Sequence, residues 1–197
     1  MRDRFCLDLS SFYYIILFNH RFCEGDRNPV ILRKMNAEEK RMYVRRAEEK
    51  DIPRILELLV QVDMVHHNGR PDLFKGPATK YNEEQLKQIL RDEKKPVFVC
   101  VEDEDQVMGH AFCVHQQAIG DSVLTDIRTL YIDDICVHED ARGKHVGTKL
   151  YDAVIAYAKE QGFYNVTLNV WTCNPGAMKF YEAMGAVPQK ICMEKIL

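Results

Sequence analysis

The chain lacks any apolar run long enough to cross a bilayer. Its apolar stretch Phe12 to Phe18 covers only seven residues, against the about 20 that a spanning helix needs, and Asp8 interrupts a longer one. No small-residue cleavage pattern follows it, which argues against a signal peptide. An excess of positive charge is missing too. With 27 Lys and Arg against 30 Asp and Glu, the formal net charge is -3, so there is no basic field for general nucleic-acid binding. Nucleic acid and membrane are therefore excluded as partners, while a local basic spot for a small anion is allowed. The seven cysteines (Cys6, Cys23, Cys100, Cys113, Cys136, Cys173 and Cys192) are odd in number and scattered, without a CxxC pair or histidines at zinc spacing. No metal site is expected, and the thiols read as reduced, in a cytoplasmic setting. Most of them sit inside apolar runs, as small core residues do. Two nucleotide signatures are also absent: no GxGxxG follows the first strand, and no GxxxxGK[ST] occurs.

What is present fits one soluble globular domain. The 197 residues are 29% charged and 46% hydrophobic, enough for a substantial core and too few for two ordinary domains. Residues 1–42 read as an N-terminal extension, because the first 34 differ in character from the regular pattern that follows. Phe12 to Phe18 there could pack on the domain or on a second subunit, which leaves a homodimer open, and Met35 or Met42 could each serve as an initiator.

From Tyr43 the order of elements is regular. A strand at Tyr43 to Arg46 precedes a helix with Asp51 as N-cap, Pro53 in its first turn and Ile55, Leu58, Leu59 and Val62 on one face. After a loop from Asn68 to Pro77, a second helix is capped by Asn82. Val97 to Val101 and Val107 to His115 form a hairpin across an acidic turn, and Arg128 to Val137 is a long strand. Leu150, Val154, Ile155 and Ala158 mark a third helix that Gly162 stops. Val166 to Val170 is a strand, Asn174 to Met184 a helix, and Val187 to Ile196 a last strand. Such an order predicts a mixed α/β (α+β) sheet with helices on its faces.

Between the long strand and the third helix lies Arg142-Gly143-Lys144-His145-Val146-Gly147-Thr148. Unpaired N–H groups in a first helical turn carry partial positive charge, and glycines let the backbone approach an anion closely. Arg142 and Lys144 add full charge. Taken alone, the segment could equally be a plain strand-to-helix turn. Its place in the element order, and the run Asn174-Pro-Gly-Ala177-Met-Lys-Phe-Tyr181 followed by Gly185, decide otherwise. Together they make residues 43–197 resemble the GNAT superfamily of acetyl-CoA-dependent N-acetyltransferases, whose signature is Q/R-x-x-G-x-G/A. Arg142 matches its first position and Gly147 its last, but His145 stands where the middle glycine is usual.

The resemblance implies a mixed, mostly antiparallel sheet of about six to seven strands flanked by about four helices. It implies acetyl-CoA as cosubstrate and transfer to a primary amine of a small molecule or peptide; a non-catalytic acyl-CoA-binding module is the alternative. Arg142, Gly143, Lys144, His145, Val146, Gly147 and Thr148 would hold the pyrophosphate. The strand Ile135-Cys136-Val137 would pair with pantetheine and offer a backbone N–H to the thioester oxygen. Asn174 and Ala177 would touch the cofactor arm, and Tyr181 would protonate the leaving thiolate. An alkyl ammonium titrates near pH ~10, so a carboxylate must take its proton. Asp133 and Asp134 lie just ahead of the cofactor strand; as strand neighbours they are expected to face opposite ways, and Asp134 is favoured. Cys136 leaves a covalent route open. His66, His67 and Arg70 read either as a plain loop surface or, with Asp72, Phe74 and Trp171, as the acceptor side, Trp171 fitting the core equally well; the adjacent histidines are unable to converge on one metal.

Overall fold

The computed structural model describes residues 42–197; the N-terminal extension, with Phe12 to Phe18 and Met35, lies outside the described residues. Arg45, in the first strand β1 (Tyr43–Arg46), determines how the next helix begins. Its guanidinium grips Asp51 through Nη1 to Oδ2 at 2.7 Å and Nη2 to Oδ1 at 2.9 Å. Asp51 also accepts from the Glu48 backbone N–H at 2.8 Å and makes no side-chain cap. Asp51 thus stands at the expected N-cap position, at the end of a 3-10 turn, Glu49–Asp51, but without a side-chain cap bond, because a charge-assisted fork holds a buried carboxylate more strongly than a neutral amide would. Helix α1 (Ile52–Gly69) follows, with Pro53 in its first turn. Helix α2 (Glu83–Arg91) keeps its expected cap: Asn82 accepts from Gln85 N–H and the Gln85 side chain answers to Asn82 N–H, both at 2.9 Å.

Strands β2 (Val97–Glu102), β3 (Gln106–Gln117) and β4 (Arg128–Val137) then run as an antiparallel meander, followed by helix α3 (Val146–Glu160), strand β5 (Asn165–Leu168) and helix α4 (Pro175–Ala183). The sheet order is β1-β2-β3-β4-β5, antiparallel except for the parallel β4–β5 pair. β2 is buried along its whole length and feeds both faces. Val97, Val99 and Val101 join Ile55, Leu58, Leu59 and Leu86 under α1 and α2. Phe98 and Cys100 join Leu130, Ile132, Leu150 and Val154 under α3. A fully buried side chain of this size contributes about 1.5–3 kcal/mol, so these two clusters fix which face each helix covers. Among the described residues no helix is long and apolar enough to cross a membrane.

The strand number is lower than the resemblance implied. The described residues form five strands, and Val187 to Ile196 is not one of them. Val187, Ile191, Met193 and Ile196 are 78–85% exposed, so the apolar positions that suggested a strand face no sheet. β-rich sequence becomes strand only with a partner to bond and a face to bury. Among the described residues, a pair of hydrogen bonds from Arg70 to Glu194 ties this segment to the end of α1.

Gly109 in β3 sets the spacing between β3, β4 and the start of α3. A Cβ there would lie 2.6 Å from the Cys136 carbonyl oxygen, 3.1 Å from Val146 Cγ1 and 3.2 Å from Leu150 Cδ1. The nearest obstacle is backbone, which cannot rotate away. Gly109→Ala should therefore destabilise the domain by about 1–3 kcal/mol, read as a lower urea midpoint at unchanged slope.

Candidate active site

The site begins where two strands part. β4 and β5 pair from Thr129–Asn165 to Ile132–Leu168 and no further, so β4 beyond Ile132 has an open edge. On its other side the register with β3 shifts: Phe112 pairs Asp134 and Cys113 pairs Ile132, which leaves Asp133 as an extra residue. The bulge changes how the two carboxylates face. Asp133 accepts from Lys80 Nζ at 2.6 Å and from the Tyr81 hydroxyl at 3.1 Å. Asp134 Oδ2 lies 2.6 Å from His110 Nε2. Tyr81 and His110 both pack on the ring of Phe112, at 5.7 and 5.0 Å. The expected opposition of neighbouring strand residues does not hold, because the inserted residue cancels one step of the alternation. Both carboxylates serve one cluster, and neither is a solvent charge: Asp133 is 18% and Asp134 11% exposed.

Downstream, His138 N–H donates to the Met108 carbonyl at 2.9 Å, on the β3 side. Alternation along the strand turns the N–H groups of Ile135 and Val137 to the open side. The Val137 carbonyl is taken by Gln61 Nε2 at 3.0 Å, and Gln61 Oε1 accepts from Glu139 N–H at 3.1 Å. Cys136 is on the closed side, buried against α1 with Sγ 3.4 Å from the Leu58 carbonyl. Burial, and then the Asp134 charge, push its thiol up to about 12. A neutral, enclosed thiol is a poor nucleophile, which disfavours the covalent route.

The basic turn leads directly into α3. Gly143 and His145 both have positive φ, 78° and 62°, so His145 adopts the left-handed backbone that a glycine would adopt freely. His145 is the N-cap and provides no side-chain cap; its carbonyl accepts the first helical bond from Lys149 N–H at 3.0 Å. The N–H groups of Val146, Gly147 and Thr148 thus remain at a helix N-terminus with no capping side chain. Arg142, Gly143 and Lys144 are exposed, and neither cation is in an ion pair among the described residues, whereas Arg45, Lys50, Arg54, Arg70, Lys80, Lys87 and Arg91 all are. Gly147 sits under α4: a Cβ would be 3.5 Å from the Phe180 ring and 3.6 Å from Val137 Cγ2.

Helix α4 brings Tyr181 to the same region. Its ring is 6.0 Å from Tyr151 and 5.1 Å from Phe180. Desolvation first, and the Asp134 charge second, push its phenol well above the ordinary tyrosine value, so it keeps its proton at neutral pH. Asn174 accepts from Ala177 N–H at 3.1 Å, so both residues are engaged in capping α4. The residues read from sequence as the acceptor side also meet. His66 stacks on Phe74 at 5.0 Å, Trp171 meets Phe74 edge-on at 5.0 Å, and His67 Nδ1 lies 2.8 Å from the Phe74 carbonyl. Arg70 forks onto Asp72, its Nη2 at 2.7 Å, and onto Glu194. Among the described residues no group of His, Cys, Asp or Glu is placed to hold a metal ion.

Sequence reading missed His110, Lys80, Tyr81 and Gln61. A lone histidine inside the apolar run Met108-Gly-His-Ala-Phe112 was a visible signal for the first. The others depend on contacts across 52 to 76 residues, which no local pattern encodes.

Comparison with known proteins gives this geometry a family. The acetyltransferase (GNAT) family matches residues 62–186, more than half of the 197. A probable N-acetyltransferase, camello, from Xenopus laevis is 38% identical over 56 residues, 28% of this chain and 26% of its own. The thialysine N-epsilon-acetyltransferase of Bos taurus is 36% identical over 59 residues, 30% of this chain and 35% of its own. The chain thus spans only 26% and 35% of these two curated relatives. Among solved structures, a tetramutant of the BH1408 protein from Bacillus halodurans has a TM-score of 0.74 at 28% identity, covering 78% of this chain and 99% of that one. With the forked sheet, the basic turn and this match taken together, the chain belongs to the GNAT family of acetyltransferases, which draw their acetyl group from acetyl-CoA.

Proposed function

We propose that this chain binds acetyl-CoA in the β4–β5 fork and transfers its acetyl group by direct attack to a primary amine of a small molecule or peptide. The observation that carries this reading is that Asp134, which pairs with no lysine or arginine among the described residues, lies close enough to the Tyr181 phenol to act on it and stands on the same strand as the open-edge amides of Ile135 and Val137. Arg142 to Thr148 receives the pyrophosphate, its two cations, which are in no ion pair among the described residues, and its uncapped N–H groups offsetting the charge. Pantetheine lies along Ile135 to Val137, where backbone N–H groups of the open edge meet the thioester oxygen and, later, the oxyanion.

Asp134 takes the ammonium proton of the acceptor. Asp133 is less suited, because its oxygen already holds the Lys80 ammonium and protonation would break that pair. The neutral amine attacks the carbonyl carbon, the C–S bond breaks as the tetrahedral adduct collapses, the thiolate takes the Tyr181 proton, and the proton that the attacking nitrogen sheds on becoming an amide restores the Tyr181 phenol. Cys136 has no part in this. A bovine relative named for thialysine N-epsilon-acetylation supports an amine acceptor. The ring cluster of His66, Phe74 and Trp171 gives the acceptor side an aromatic wall.

Acetyl-CoA should raise the thermal midpoint of the protein, and thiol release should appear with some member of a primary-amine panel. Stabilisation without turnover for any amine would overturn the transferase reading in favour of a binding module; no stabilisation would overturn both. Tyr181→Phe should lower kcat by about 10²-fold at neutral pH while acetyl-CoA affinity stays within about twofold, as steady-state kinetics and calorimetry would show. Equal kcat in the variant would remove Tyr181 from the acid role.

A further inference from the structure

His110 is a titratable side chain buried where the sheet is driest. It is fully enclosed, at 0% exposed, between the Phe112 ring and its cross-strand neighbours Val99 and Cys136. One ring nitrogen, Nε2, is 2.6 Å from Asp134 Oδ2; the other, Nδ1, is the buried side-chain atom left without any hydrogen-bond partner among the described residues. Those two facts select a tautomer. If Nε2 carries the hydrogen, the orphan is a bare lone pair. An imidazolium would instead bury an unmatched, charged N–H, which costs considerably more.

We propose that His110 is the positioning residue of the catalytic base: a neutral imidazole that donates Nε2–H to Asp134 and holds its carboxylate in one rotamer at the bulge without bringing a charge of its own. This rests on the reading of Asp134 as the base. The contrast with Asp133 gives the arrangement its purpose. Asp133 is bound by a cation that travels with it, so taking a proton there would break that pair. Asp134 is held as firmly, at the same 2.6 Å, by a donor carrying no charge, and Oδ1 has no hydrogen bond among the described residues. A carboxylate fixed through one oxygen and open at the other can accept an ammonium proton without losing its support. Removing the donor should make Asp134 easier to protonate, because hydrogen bonds to a charged form favour that form. The other charged or titratable groups around Asp134 are Cys136 beside it on β4, Asp133 with Lys80 and Tyr81 ahead of α2, and Tyr181 from α4; Gln61, from α1, is uncharged.

The test compares His110→Leu, His110→Gln and Asp134→Asn in the full chain, reading kcat, KM for acetyl-CoA and the pH profile of kcat. The amide nitrogen of Gln reaches the place of Nε2, so it restores a neutral donor. His110→Leu should lower kcat by about 10²-fold with KM for acetyl-CoA little changed, and should move the acid limb of the profile to higher pH. His110→Gln should recover most of kcat and return the limb to its original place. Loss of activity in the Gln variant equal to that in the Leu variant would overturn the proposal, and so would an unaffected Leu variant beside a crippled Asp134→Asn. A fully active Asp134→Asn would instead overturn the base assignment and the proposal with it. Should the Leu variant fail to fold, nitrogen-15 NMR of the unaltered protein decides: the expected ring has Nε2 protonated and Nδ1 bare throughout the rise of activity with pH. The opposite tautomer, or a doubly protonated ring, would overturn the assignment.

Discussion

Parallel pairing between β4 and β5 stops at Ile132–Leu168, so the next stretch of β4 carries, on that side, backbone donors and acceptors that no strand among the described residues satisfies. In a sheet this is an unstable condition unless something else meets those groups. Part of the need is met within the chain, since Gln61 takes the Val137 carbonyl and Glu139 N–H. In the proposed function the remaining amides are a template for an extended, amide-bearing ligand. The bulge at Asp133 falls on the same step at which pairing stops, so the unsatisfied edge and the cluster of polar side chains arise from one local irregularity. Everything else in the domain keeps that irregularity in place: the fully buried β2 at the centre, two apolar clusters on opposite faces, and Gly109 allowing α3 to settle on β3 and β4.

Most of this architecture was legible in the sequence, for reasons that differ by element. The Asn82 cap, the α1 stripe of Ile55, Leu58 and Leu59 and the Val97-Val99-Val101 alternation are local, period-bound patterns, and each appears in the structure where expected. Asp51 was legible as the N-cap and holds that position, but its side chain makes no cap bond, because a guanidinium six residues away holds the carboxylate. The terminal strand failed for the opposite reason: Val187 to Ile196 has strand-like composition, but composition alone provides no neighbouring strand. At the site, the basic turn and Tyr181 were readable from motif and order. The facing of Asp133 and Asp134 was not, since a bulge is a property of two paired strands and leaves no mark on one.

His145 shows how a motif can be kept while one of its members changes. The turn needs a left-handed residue immediately before α3, and the structure has it, with an imidazole in place of hydrogen. Conformation is therefore retained at a cost of about 1 kcal/mol in backbone strain, while an exposed side chain is added beside the expected phosphate site. The family signature records the backbone requirement through the residue that meets it most easily. Here the requirement is met by a residue that can add contacts of its own.

The paired carboxylates also differ in how far dissolved ions can reach them. Asp133 is held by a lysine that is 47% exposed, whereas Asp134 is held by a histidine with no exposure at all. Mobile counterions weaken the first partnership and leave the second untouched, since screening acts through solvent. Ionic strength is thus a dial that turns only one of the two: raising it loosens the loop bearing Lys80 and Tyr81 from β4, while the geometry around Asp134 stays as it is in dilute buffer.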